Sequence, residues 1–61
     1  MELTPCIIVS RKQAEEYALC GTEIQPDRIV IPYITEHRAK NDAHQLSAQY
    51  ARIDYHKLIF G

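Results

Sequence analysis

Apolar positions along this 61-residue chain follow two rhythms. Cys6-Ile7-Ile8-Val9 and Ile29-Val30-Ile31 are continuous apolar runs rich in β-branched residues, the pattern of buried strands. Elsewhere the apolar residues recur every three or four positions, as in Ala14, Tyr17 and Ala18. Ala39, Ala43, Leu46, Tyr50 and Ile53 repeat the helical rhythm at spacings of 4, 3, 4 and 3. This second series predicts one long helix within Thr35 to Leu58, roughly 30–36 Å in length at the standard rise per residue. In so short a chain that helix would be the spine on which everything else packs.

Boundary residues refine the pattern. Met1 to Thr4 reads as a loose start, and Pro5 opens the first strand where a missing N–H does least harm. Ser10-Arg11-Lys12-Gln13 matches a capping box and starts a helix over Arg11 to Cys20, with Gly21 as its left-handed stop. Thr22 to Arg28 reads as a connection containing a Gln25-Pro26-Asp27 turn. Arg28 to Ile34 is the strongest strand signal, apolar enough for burial on both faces or in an interface. Pro32 conflicts with a central place in a sheet and suggests an edge strand or a break. Thr35 is the N-cap expected for the long helix, with Glu36 favourably placed in its first turn. Asn41-Asp42 weakens that helix, since both residues prefer caps. The helix is expected to end near Tyr55 to Lys57, with the last residues docking on an apolar surface or forming a short terminal strand.

The expected fold is therefore a single small α+β domain over residues 1–61, in the order strand, helix, strand, long helix. Two strands alone are too few for independent stability, and a domain this small is marginal without help. A homodimer that completes the sheet is the expected remedy. No apolar run is long enough to span a membrane and no signal-peptide pattern opens the chain. A cytoplasmic protein with its two cysteines reduced is the expectation.

Charge narrows function by exclusion. Seven Lys and Arg stand against eight Asp and Glu, interspersed, for a net charge of −1. This provides neither the basic excess of a dedicated nucleic-acid binder nor the acidic excess of a DNA mimic. His37 and His44 share a helix side but stand about 10 Å apart along the axis, too far for one metal ion. Cys6 lies in a buried strand. Cys20 is placed near the negative end of the first helix, which disfavours a thiolate, and the spacing of the pair matches no zinc or redox motif. The carboxylates fall on solvated helix faces, and there is no phosphate loop, nucleophile elbow or His-Glu-x-x-His pattern. The sequence specifies neither a catalytic residue, a metal nor a cofactor, and the expectation is a protein without enzymatic activity.

Val9-Ser10-Arg11-Lys12-Gln13-Ala14-Glu15-Glu16-Tyr17 resembles the opening helix of excisionase-type and MerR-type winged helix-turn-helix domains. The resemblance implies a second, groove-reading helix after a short turn. Here the chain continues instead into Gly21, Pro26 and a β-branched run, and the resemblance covers only nine residues.

The leading expectation is a dimeric regulator or inhibitor that works by binding another protein. Its partner or dimer interface is expected at Tyr33, Tyr50, Tyr55, His44, Ala51 and Arg52, since aromatic residues and Arg are enriched at interfaces. Tyr17 is a further aromatic anchor. The alternative is a DNA-binding regulator using Arg11, Lys12 and Arg28, or Arg38 and Lys40, on phosphates.

Overall fold

The computed structural model describes residues 3–60, the last two by backbone alone. Its elements are β1 (Thr4–Val9), α1 (Arg11–Glu16), β2 (Thr22–Gln25), β3 (Arg28–Pro32), α2 (Glu36–Leu46), β4 (Gln49–Ile53) and α3 (Tyr55–Phe60). The strands form one antiparallel sheet in the order β2-β3-β1-β4. Read from the other edge this is 4-1-3-2, the ferredoxin-like split β-α-β arrangement, in which each helical connection skips over one intervening strand. The α+β class expected from the sequence is present. The order of elements is richer than strand, helix, strand, long helix.

The largest correction falls on the long helix. Glu36–Leu46 is helical, but Ser47 takes a left-handed φ of 54° and the chain turns back as β4. The amides of Ser47 and Ala48 donate to the carbonyls of His44 and Ala43 at 3.3 and 2.8 Å, closing a Schellman motif. Ala39 and Ala43 are buried as their spacing required. Tyr50 and Ile53 fall at helical spacing by coincidence. Gln49-Tyr50-Ala51-Arg52-Ile53 also serves as a strand because β1 offers it a ladder, with Cys6 opposite Ala51 and Ile7 opposite Tyr50. Tyr55–Phe60 is a short helix, so the terminal strand considered above is not formed.

The capping box at α1 is complete. The Gln13 amide donates to Ser10 Oγ at 3.1 Å, and the Ser10 amide donates to Gln13 Oε1. Gln13 Nε2 also donates 2.8 Å to the Leu46 carbonyl, which fastens the start of α1 to the end of α2. But α1 stops at Glu16, well short of Cys20. Ala18, at φ 54°, is the left-handed residue, and Leu19 N–H reaches the Ala14 carbonyl. Gly21 has a different task. A Cβ on it would meet the Val30 carbonyl oxygen at 2.3 Å, so the close passage of the chain beside β3 requires glycine. The next residues form β2, a strand where a plain connection was expected. Pro26 and Asp27, the latter at φ 63°, make the turn into β3 in the pattern of a type II turn.

Pro32 needs no edge strand, since β3 lies inside the sheet between β2 and β1. Tyr33 N–H donates to the Pro5 carbonyl at 2.8 Å, so Ile7 and Val9 aim their backbone groups at β3, and Cys6 and Ile8 aim theirs at β4. Pro32, opposite Cys6, therefore faces away from β1, toward β2. The β2 ladder has its limit at Thr22 opposite Val30, so Pro32 forfeits no bond there.

One face of the sheet presents Ile7, Val9, Ile29 and Ile31 to Ala14 of α1 and to Ala39 and Ala43 of α2. The small alanines let the helices lie close. The opposite face carries Cys6, Ile8 and Val30, and α3 lies over this side, with Ile53, Leu58 and Ile24 around a shallow concavity. Cys6 and Val30 are fully buried. The hydroxyls of Tyr55 and Thr22 share a hydrogen bond of 2.7 Å, which ties α3 to β2 at the far edge. Met1 and Glu2, expected as part of a loose start, lie outside the described residues, and Thr4 is already in β1. The side chains of Ile59 and Phe60 lie outside them too.

Candidate functional site

A four-stranded open sheet has two edges, and here they differ. β2 has four residues, carries Glu23 and shows a register shift between Glu23 and Gln25. Short length, charge and irregularity are the usual defences of an edge against pairing. β4 has five residues in unbroken register with β1 and a single charge, on Arg52. Because Cys6 and Ile8 aim their backbone groups at β4, their partners Ala51 and Gln49 point back at β1. Tyr50 and Arg52 alternate with these, so their N–H and C=O groups point outward. Nothing among the described residues returns to cover them, since α3 leaves β4 toward β2.

α2 flanks this edge. Lys40 Nζ bonds Glu36 Oε1 at 2.7 Å and lies 5.4 Å from the centroid of the Tyr50 ring. The bond to Lys40 holds the Glu36 carboxyl below its ordinary value, with a smaller contribution from Arg52. Glu36, Lys40 and His44 share one side of α2 by their spacing of four, and Lys40 turns that side toward β4. The Tyr50 hydroxyl is buried with no hydrogen-bond partner among the described residues, while its ring packs on the core.

Of the expected interface residues, the fold brings Tyr50, Ala51, Arg52 and His44 to this one side of the molecule. It does not bring the other two. The Tyr33 hydroxyl donates to Asp42 Oδ2 at 2.5 Å, which gives Asp42 a purpose inside α2. Burial, helped by this bond, pushes the Tyr33 phenol up to about 12. Tyr55 belongs to α3, not to a helix shared with His44. Tyr17 is half exposed at the end of α1. The outward backbone of β4, the main feature of the edge, was missed by sequence reasoning. Gln49 to Ile53 carries no polar–apolar alternation that would have signalled a strand.

The basic residues form two groups. Arg11, Lys12 and Arg28 cluster at the sheet end where α1 begins, and there Arg11 is paired with Glu23 and its amide with Asp27 Oδ1. Arg38 and Lys40 lie toward the start of α2, with Lys40 held by Glu36. α1 leads into the β2–β3 hairpin, so the second helix implied by the helix-turn-helix resemblance is replaced by strands.

A concavity of about 460 Å³ beside α1 is lined by Ala14, Leu19, Cys20 and Ile29 with the charged ends of Arg11, Glu15 and Glu23, and no histidine lines it. Cys20 is exposed and lies beyond the end of α1, not in its last turn. Burial raises the pKa of the Cys6 thiol, which makes it a poor nucleophile. No group of three metal-ligating side chains is found among the described residues. Nor is any of their helices long and apolar enough to cross a membrane. Comparisons with protein-family models, with curated proteins and with solved structures find no match for this chain.

Proposed function

We propose that the chain is a small non-enzymatic protein-binding regulator or inhibitor that acts as a homodimer, joined along β4. The observation that carries this reading is the regular, undefended β4 edge beside a guarded β2 edge. An unpaired strand edge is a template for another strand, and a second copy is the partner always at hand. The earlier reason for a dimer, a sheet of too few strands, no longer applies, because one chain supplies four.

Arg52→Pro tests the reading. The Arg52 amide faces outward, so proline removes no bond to β1 and is tolerated as on other edge strands. It removes one intersubunit bond per copy, two in a symmetric pair. At about 1–1.5 kcal/mol each, the loss of these bonds should weaken the dimer roughly 30- to 150-fold in sedimentation beyond the effect of Arg52→Ala, which keeps the amide and loses only the side chain. Equal effects from the two variants would contradict pairing through the backbone.

Ile34 supports the binding role. It is 97% exposed in the β3–α2 loop. An isoleucine so fully in water has no structural contact to lose, so Ile34→Asp should change stability by less than about 0.5 kcal/mol. Its expected effect is loss of the protein partner in affinity capture from the native cell, with the dimer unaltered. Capture that is unchanged by the substitution would place the partner surface elsewhere.

A further inference from the structure

We infer that the occupant of the β4 edge is a second copy in one particular register, with Ala51 on the two-fold axis opposite its own symmetry mate. The inference rests on the dimer proposed above and adds which residues meet. Only Tyr50 and Arg52 present outward backbone groups within β4, so an antiparallel pairing must place outward residues opposite one another. Three symmetric registers satisfy this.

Centring on Tyr50 pairs only three residues of β4, and continuing it runs into Ser47, whose left-handed φ of 54° breaks the extended chain. Centring on Arg52 also pairs three and sets two guanidinium groups face to face, which is unfavourable. Centring on Ala51 pairs all five residues, Gln49 through Ile53. It places Tyr50 opposite Arg52 of the other copy twice, with four backbone hydrogen bonds between them.

Chemistry at the pairs agrees with this register. The Tyr50 ring already attracts a cation, since Lys40 lies 5.4 Å from its centroid. The arriving guanidinium comes to the side of α2 that carries the Glu36 carboxylate, with Lys40 already over the ring. Ala51, in a pair without mutual hydrogen bonds, is opposed at a Cα distance of about 4.5 Å, where a small side chain fits. The helices do not obstruct the approach. α2 packs on β1 as well as β4. The two copies of α2 then lie at least about 10 Å apart, two strand spacings, which is no less than ordinary helix contact.

Single cysteines test the register, each placed in a chain carrying Cys6→Ala and Cys20→Ser. Ala51→Cys should oxidise to a covalent dimer, because the Cα separation of about 4.5 Å lies within the range of disulfides. Tyr50→Cys and Arg52→Cys should not, since each then lies diagonally about 7–8 Å from its mate. Should a cysteine substitution disturb folding, an isotope-filtered experiment on a mixed labelled dimer of the unsubstituted chain reads the same register. It should show an intersubunit contact between the Ala51 α-protons. A dimer in sedimentation that cross-links at position 50 or 52 but not at 51 overturns the register and leaves the dimer standing. A dimer that cross-links at none of the three, with no Ala51 contact, overturns the β4 ribbon. A monomer removes both.

Discussion

Gly21 and Ala18 stand three residues apart, and it is the alanine that takes the left-handed conformation usually given to glycine. Ala18 holds the left-handed conformation that closes α1, at a cost of roughly 1–2 kcal/mol for a residue with a Cβ. Gly21 lies where a Cβ would strike the Val30 carbonyl. Ala18→Gly should therefore stabilise the fold by about 0.5–1 kcal/mol after the added freedom of the unfolded chain is counted. Gly21→Ala should destabilise it by about 2–3 kcal/mol, the usual result of overpacking. Chemical denaturation of the two variants measures both, and a stabilised Gly21→Ala would contradict the geometry. A glycine a few turns past a capping box invites assignment as the helix stop. Sequence could not separate a glycine needed for φ from one needed for close approach, because the second depends on β3, which arrives later in the chain.

Within α2, the doubt raised by Asn41-Asp42 is answered by a residue outside the helix. Asp42 accepts the Tyr33 hydroxyl across the sheet end, a tertiary bond that local preference could not foresee. This bond has a pH signature. Burial, then the bond and charge of Asp42, raise the Tyr33 phenol from its ordinary value near 10 to about 12 in the folded chain. The folded state favours the protonated phenol. That contribution is complete below pH 10 and is lost as pH rises through 12. Stability measured from pH 9 to 12 should fall in this window, and Tyr33→Phe should remove the Tyr33 part of the fall. An unchanged profile in that variant would show that the hydroxyl is not held. The capping box, the strand runs and the apolar face of α2 were legible because each is written in neighbouring residues. The end of α2 was not, because Tyr50 and Ile53 continue its helical spacing, and their use on opposite faces of β4 is decided by β1 and by Ser47.

For the whole molecule, the sheet places the Ile7, Val9, Ile29 and Ile31 face under two helices and the Cys6, Ile8 and Val30 face beneath α3. The first face is closed by α1 and α2, the second is covered by α3 only around a shallow concavity, and the unpaired strand backbone lies at the edges. The near-continuous apolar character of both inner strands, β1 and β3, was a correct sign of two-sided burial. Four of the six expected interface residues, Tyr50, Ala51, Arg52 and His44, meet at one edge even though the long helix that suggested them does not exist. They were chosen for side-chain type, whereas the feature they surround is a row of backbone groups. Tyr33 and Tyr55 instead use their hydroxyls inside the fold, on Asp42 and Thr22.

Sedimentation equilibrium of the unsubstituted chain at micromolar concentration tests the central claim most directly. The account predicts a mass twice the 7.1 kDa of one chain, reverting toward 7.1 kDa in Arg52→Pro with the sheet intact by circular dichroism. A mass of 7.1 kDa for the unsubstituted chain across that range would contradict it.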